Sequence, residues 1–301
     1  MDSVLAERRP AMGGTASITL VGGPPQLLDE CFALLGELER AWSRFREDSD
    51  VSRLNWSQGR PVRVRACTAR LVTELINAWA VTNGDFDPTA LPQLLASGYA
   101  TSLVDPSRRT VLPKTGAWPG DVTGIDIVNR DIRLPLGTTL DPGGLGKGLA
   151  ADMIVEFAMD RGADGVLAEI GGDVAVAGVA PHAAAWTIGI QDPYTRGELV
   201  SVVRLARGAV ATSSRLVRVW DGADGLVHHL IDPATGASAL TPTLTSTVIA
   251  GSGARAEALA KLAFVREANP LLEWLPRIGA AAMIIAADQP RKRTANWGDF
   301  A

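Results

Sequence analysis

The sequence predicts an α+β protein with antiparallel or mixed sheets, and three observations carry that expectation. A few long stretches repeat apolar residues at three and four, the period of a helix packed on one side. Many short stretches alternate with period two, as half-buried strands do. Several of those strands are joined by short turns of Gly, Pro, Asp and Asn, too brief for the crossovers that a doubly wound parallel sheet needs.

The elements follow in order. Ala16 to Val21 alternates and stops at Gly-Gly-Pro-Pro, which reads as a strand and a turn. From Leu27 to Phe45 the residues Leu27, Leu28, Cys31, Leu34, Leu35, Leu38, Trp42 and Phe45 line one helical face. Asp48 to Asn55 is polar with two apolar pegs, Val51 and Leu54, and reads as a loop or short turn. Thr68 to Thr82 is a helix closed by Asn83-Gly84. Pro, Gly and Asp punctuate residues 99 to 140, where Ile125–Val128 and Asp131–Leu134 suggest a hairpin. A glycine-rich segment then opens a helix from about Leu149 to Met159. Strands are expected at Gly165–Ile170, Trp186–Ile190, Val200–Leu205, Gly208–Thr212, Arg218–Trp220, His229–Ile231, Thr245–Ala250 and Ala280–Ala286. Helices are expected at Ala254–Val265 and Asn269–Leu275.

The 301 residues are 47% hydrophobic and 21% charged, enough for one large domain or two intimate ones at about 150 residues each. Lys plus Arg is 29 against Asp plus Glu 33, a formal charge of −4 that carries no footprint for nucleic acid. Cys31 and Cys67 lie in apolar or helical surroundings without a CxxC or a nearby His pair, so two buried free thiols are expected rather than a zinc site or a bridge. Residues 1 to 10 have no apolar run after their charges, so no export signal is read. The longest apolar run, Ala280 to Ala287, falls far short of the ~20 residues of a membrane helix. A cytoplasmic protein without membrane insertion is therefore expected.

Four segments could carry chemistry. Gly143-Gly144-Leu145-Gly146-Lys147-Gly148 opens a helix, where free N–H groups and a lysine suit a phosphate. It departs from a Walker loop at Asp141 and Gly148, and a plain glycine-rich turn with a surface lysine reads it equally well. Gly251-Ser252-Gly253-Ala254-Arg255-Ala256 fits G-x-G-x-x-A, but lies late in the chain with no second strand ending in an acid behind it. Gly84-Asp85-Phe86-Asp87-Pro88-Thr89 gathers two carboxylates and a hydroxyl, which also suits a helix cap. His228-His229-Leu230-Ile231-Asp232-Pro233-Ala234-Thr235-Gly236 sets two imidazoles beside a turn; in a strand they face opposite sides.

Taken together and in order, the segments resemble the ApbE-type FAD:protein FMN transferases. The resemblance runs through Met12-Gly13, Trp42-Ser43-Arg44-Phe45, Ser49-Asp50-Val51-Ser52-Arg53-Leu54-Asn55 and Gly84 to Thr89. It continues with Gly143 to Gly148 and Asp152, Ile170-Gly171-Gly172-Asp173, Ala211-Thr212-Ser213 and His229 to Gly236. It implies an ApbE-like α+β fold, one domain over residues 1–301 with two lobes and a flavin site between them. The implied activity uses FAD and magnesium: FMN passes to a Thr or Ser hydroxyl of an acceptor flavoprotein and AMP leaves. A non-catalytic FAD-binding protein, or a hydrolase that yields FMN and AMP, are the alternatives. By resemblance Met12, Gly13, Asn55, Asp87, Thr89, Gly144, Lys147, Asp152, Gly172, Asp173, Thr212, Ser213 and Lys261 line or brace the flavin. Lys147 and His229 are the catalytic candidates, for pyrophosphate charge and for proton handling.

The departures are informative. Where the family commonly has Ala-Asp-Ala-Leu-Ala-Thr, with Asp and Thr helping to hold Mg²⁺, this chain has Ala256-Glu257-Ala258-Leu259-Ala260-Lys261. A protonated lysine cannot ligate a metal. Three readings stand: an exposed Glu257–Lys261 pair away from the site; a Lys261 ammonium in the metal's stead; or a weakened metal site on Glu257, Asp173 and the Gly144 carbonyl. Ser214 replaces a common Gly, and Glu169 a common Asn.

Overall fold

The computed structural model describes residues 3–222 and 225–301. Its elements, in chain order, are β1 (Val4–Ala11), β2 (Gly14–Gly22), α1 (Leu27–Trp42), α2 (Asp50–Asn55), β3 (Val62–Arg63), α3 (Ala66–Thr82) and α4 (Leu91–Ala96). Then come β4 (Asp126–Val128), β5 (Asp131–Arg133), α5 (Gly146–Asp160), β6 (Ala163–Ile170), β7 (Asp173–Gly178), β8 (Trp186–Gln191) and β9 (Leu199–Leu205). The chain ends through β10 (Gly208–Ser214), β11 (Val219–Gly222), β12 (Gly225–His228), β13 (Thr243–Ala250), α6 (Gly253–Lys261), α7 (Ala268–Trp274), β14 (Ala281–Ala286) and β15 (Lys292–Arg293). They fall into two compact units: Met1–Leu35 with Lys147–Leu216 and Thr241–Ala301, and Gly36–Gly146 with Val217–Leu240.

The first unit is built on an eight-stranded sheet in the order β1-β2-β6-β7-β10-β13-β14-β15, every pair antiparallel. The antiparallel alternative of the sequence reading therefore holds. The β8–β9 hairpin turns Trp186, Ile188, Ile190, Val203 and Leu205 into one buried cluster with Val174, Val176, Val210, Ile249, Met283 and Ile285 of the sheet. Strict alternation along β8 is the signature of that one-sided burial. α6 packs on β10 and β13. β13 and β14 are buried along their whole length, which is why Ala281 to Ala286 reads as continuous apolar sequence. Each fully buried Leu or Ile contributes about 1.5–3 kcal/mol.

The second unit holds a three-stranded sheet in the order β3-β5-β4, the β11–β12 hairpin, and α2, α3 and α4. Asp50 is its buried polar hub. Its carboxylate accepts from the Arg65 N–H at 2.8 Å, Arg65 Nη1 at 2.8 Å, Thr68 Oγ1 at 2.9 Å and Arg53 Nη1 at 3.2 Å.

Several expectations change. Asp48 to Asn55 is a loop in the sequence reading, but Asp50–Asn55 is helical because the Ser49 hydroxyl caps it, accepting from the Ser52 N–H. The N-terminal β1, with two arginines and Pro10, carries no strand signal; it survives as the sheet's edge, where proline is tolerated. β7 and α4 also go unread in the sequence. His229–Ile231 is not a strand: β12 ends at His228, and Asp232 draws the chain into a turn by accepting from the Ala234 N–H at 2.8 Å. Cys31 is buried, whereas Cys67 is half-buried, and both thiols are free.

Two measurements test this packing. The first turns of α5 and α6 meet backbone to backbone, and a Cβ on Gly148 would lie 2.2 Å from the Gly253 carbonyl oxygen. Gly148→Ala should therefore cost about 1–3 kcal/mol in urea unfolding; a stability equal to wild type would refute the close approach. Burial pushes the Cys31 thiol up to about 11, leaving little thiolate at pH 7.5. Iodoacetamide should leave Cys31 unlabelled in the native protein and label it in denaturant. Fast native labelling at that pH would contradict its burial.

Candidate functional site

Two glycine turns mark one end of the first unit's sheet. Met12 and Gly13 link β1 to β2 with φ of 50° and 76°, and Gly171 and Gly172 link β6 to β7 with φ of 59° and 93°. Positive φ at both central residues is the type I′ hairpin geometry that matches strand twist. The turns adjoin, since the Gly171 N–H donates to the Thr15 carbonyl at 2.9 Å. Gly171 also lies over the stem of Lys147, where a Cβ would come within 3.1 Å of Cδ. The second turn delivers Asp173 as the first, buried residue of β7.

At this end four charges form a cluster. Lys147, in the first turn of α5, donates from Nζ to Asp173 Oδ2 and to Glu257 Oε1 of α6, the latter at 2.7 Å. The Gly148 N–H donates to Glu257 Oε2 at 2.9 Å. Lys261, one helical turn beyond Glu257, donates from Nζ to the Glu257 carbonyl at 3.1 Å and lies 3.5 Å from Oε1. The carboxylate side chains are each 3% exposed, the Lys147 side chain 21% and that of Lys261 19%. Burial alone would raise Glu257, but Lys147 and Lys261 outweigh it and bring its carboxyl down to about 2. Burial lifts Asp173 to about 6 against the pull of Lys147, with the negative charge of Glu257 adding to the rise. Burial pulls the Lys147 ammonium down, but Asp173 and Glu257 more than offset it and hold Lys147 above the ordinary lysine range. Lys261 is pushed down by burial, which Glu257 only partly offsets.

The neighbouring N-terminus of α6 is spoken for. Asp152 accepts from the Gly253 N–H at 2.6 Å and the Ala254 N–H at 3.0 Å, and Ser252 caps the helix by accepting from the Arg255 N–H. The Gly251 to Ala256 fingerprint is thus a capped helix start, with its donors turned to a carboxylate of the chain itself. The Gly148 N–H at the start of α5 is likewise held by Glu257, so that donor of the glycine-rich cradle is also taken. On β10 and β13, Thr212 and Thr247 face each other with their hydroxyl oxygens 2.9 Å apart, and Ser213 is buried beside them.

The remaining sequence candidates lie in the second unit and brace it. Asn55 clamps Leu140 from both sides, donating to its carbonyl at 3.0 Å and accepting from its N–H at 2.8 Å. Asp87 accepts from the Thr89 N–H and hydroxyl at 2.8 and 2.6 Å, and from Trp118 Nε1 at 2.8 Å. Thr89 accepts in turn from the Gly120 N–H at 3.0 Å. Gly144 must be glycine, because a Cβ there would meet the Phe86 ring at 2.5 Å. His228 is buried, with Nδ1 accepting from the Leu230 N–H at 3.3 Å and Nε2 set 3.1 Å from the Ala239 carbonyl oxygen. His229 is half-buried in the bend that follows. Ser252, Trp118 and Thr247 are absent from the sequence candidates. Only Ser252, a cap residue directly before a helix, carries a local signal.

The magnesium expectation can be tested on the donors. Mg²⁺ asks for oxygen ligands at about 2.0–2.1 Å in near-octahedral array. Both oxygens of Glu257 already face N–H donors, Asp173 shares the Lys147 ammonium, and the residue at the family's Thr position is itself a cation. Two ammoniums balance two carboxylates and leave no anionic charge for a divalent ion. Among the described residues no group of three His, Cys, Asp or Glu side chains is placed to hold a metal. The residues present do not fit a divalent cation. The exposed-pair reading of Glu257 and Lys261 is also overturned, because the carboxylate is buried.

An antiparallel α+β fold whose sheet turns and helix starts converge on two lysines over two buried carboxylates defines the class of protein. Within that class the chain belongs to the ApbE family, whose sequence model matches residues 12–284. It is 28% identical over 298 residues to the FAD:protein FMN transferase of Treponema pallidum, covering 90% of this chain and 80% of that one. Its fold is similar to that of the ApbE protein of Thermotoga maritima, with a TM-score of 0.85 at 23% identity over 99% of each chain. It is also similar to the apo flavinyl transferase ApbE of Pseudomonas stutzeri, with a TM-score of 0.81 at 25% identity over 99% of this chain and 96% of that one.

Removing the shared ammonium should expose what the cluster holds together. Lys147→Met leaves two buried carboxylates without their common partner, a loss of about 3–5 kcal/mol for a fully buried pair. The lysine's residual exposure places the expected loss at the lower end, read by urea unfolding. A loss under about 1 kcal/mol would mean the cluster behaves as a surface ion pair.

Proposed function

We propose that this chain transfers FMN from FAD to a Thr or Ser hydroxyl of an acceptor flavoprotein, releasing AMP. The observation that carries the reading is the Lys147–Lys261 pair above Asp173 and Glu257, in a chain of the ApbE family whose relatives are FAD:protein FMN transferases. The pyrophosphate of FAD is an anion that gains charge on its leaving oxygen during transfer, and fixed ammonium groups lower the cost of that charge.

In the proposed reaction the acceptor hydroxyl oxygen attacks the phosphorus on the riboflavin side. A new P–O bond forms, the bond from that phosphorus to the bridging oxygen breaks, and AMP leaves with the bridging oxygen. The hydroxyl proton passes to the imidazole of His229, the candidate base. Lys147 holds a pyrophosphate oxygen. Met12, Gly13, Gly172, Thr212, Ser213 and Lys261 are proposed flavin contacts. Asp152 anchors the start of α6, the helix that carries Lys261. Asn55, Asp87, Thr89 and Gly144, which brace the second unit's own backbone, are the further residues proposed to line or brace the flavin. No step uses a metal. A cytoplasmic setting remains part of the reading; no helix among the described residues is long and apolar enough to cross a membrane.

Mass spectrometry of the chain incubated with FAD and a flavoprotein known to carry phosphoester-linked FMN is the test. The acceptor should gain one FMN less one water, with one AMP released per adduct. His229→Ala should slow adduct formation by about 10²–10⁴-fold, and Lys147→Ala by about 10²–10³-fold. Free FMN and AMP without an adduct would replace this reading with FAD hydrolysis; FAD binding without turnover would replace it with a flavin-binding protein.

A further inference from the structure

We propose that the Lys261 ammonium serves in place of a divalent cation beside Glu257, so that this chain engages the FAD pyrophosphate without a metal. The inference rests on the FMN-transfer reading for its ligand, but its basis is the geometry of the cluster. Lys261 and Lys147 converge on one oxygen, Oε1 of Glu257, from 3.5 and 2.7 Å. The other carboxylate oxygen accepts the Gly148 N–H at 2.9 Å, so a metal at Glu257 would find Oε1 fully engaged by the two ammoniums and a single lone pair left on Oε2.

The depth order of the charges points the same way. The carboxylate side chains lie at 3% exposure, whereas the two lysine side chains keep about a fifth of their surface open. An approaching ligand therefore meets lysine side chains before carboxylates. Each ammonium has three N–H donors. Lys147 directs two at Asp173 and Glu257; Lys261 directs its donors at the carbonyl and Oε1 of Glu257. One N–H remains on each, and two donors suit the paired oxygens of a pyrophosphate. Glu257 is then a positioning residue. It fixes both ammoniums through Oε1, where a metal ligand would draw a divalent cation onto itself.

Two measurements on the intact chain decide it. Titration with Mn²⁺ followed by electron paramagnetic resonance, without FAD, should show no bound ion in wild type at millimolar metal. Lys261→Thr, which removes the cation and supplies a hydroxyl, should gain one Mn²⁺ site. FAD binding, read by flavin fluorescence, should be equal within twofold in EDTA and in Mg²⁺ for wild type and for Lys261→Arg. For Lys261→Thr it should weaken at least tenfold in EDTA and recover in Mg²⁺. Stoichiometric Mn²⁺ in wild type, or wild-type FAD binding that requires Mg²⁺, overturns the proposal while leaving the transferase reading intact. FAD binding absent under every condition overturns both. An EDTA affinity unchanged in Lys261→Thr removes Lys261 from the site.

Discussion

Two carboxylates almost out of water, on β7 and α6, are the constraint around which the first unit's functional end is arranged. Burying a carboxylate costs several kcal/mol unless a cation and hydrogen bonds repay it. Lys147 supplies that cation to both at once, and the Gly148 N–H adds a hydrogen bond. Three elements far apart in the chain are thereby held at one point: the start of α5, the start of β7 and the first two turns of α6. If any of the three shifted, a buried charge would lose its partner.

The backbone has to allow that convergence. Gly148 and Gly253 let the starts of two helices touch where any side chain would collide with a carbonyl. Gly171 and Gly172 let β6 turn into β7 in two residues, closing over the Lys147 stem and leaving Asp173 at the mouth of the strand. Asp152 then holds the first N–H groups of α6, so that helix is anchored by the chain itself and not by a ligand. The polar side chains of the second unit do comparable work there: Asn55 and Asp87 bind backbone and neighbouring side chains, leaving their loops in defined shapes.

Charge order separates this cluster from a metal site. A metal site presents carboxylates to a cation; here both carboxylates are nearly closed off and already paired with ammoniums, and it is the lysine side chains that keep about a fifth of their surface open. The same helix position that would carry a hydroxyl ligand carries Lys261, and the lengthening of Asp to Glu at 257 lets that carboxylate reach both lysines. The two departures from the family pattern act together, each making sense of the other.

Much of this protein was legible in the sequence because the physics involved is local. Helical and alternating periods located α1, α3, α5, α6 and most strands, Asn83-Gly84 marked a helix end, and short turns pointed to antiparallel pairing. The ordered motifs named the family and brought Lys147, Asp173, Glu257 and Lys261 into one list of candidates. What the sequence left undecided depended on partners distant in the chain. α2 exists because Ser49 caps it and Asp50 ties it to Arg65 and Thr68, and β1 exists because β2 pairs with it. That Glu257 and Lys261 do not form an exposed pair turned on Lys147, 110 residues away, which helps to bury and pair the carboxylate. Periodicity is set by neighbours along the chain, so sequence alone determined the elements and the family. The burial and pairing of a charge are set by whatever surrounds it in space, and only the tertiary structure decided those.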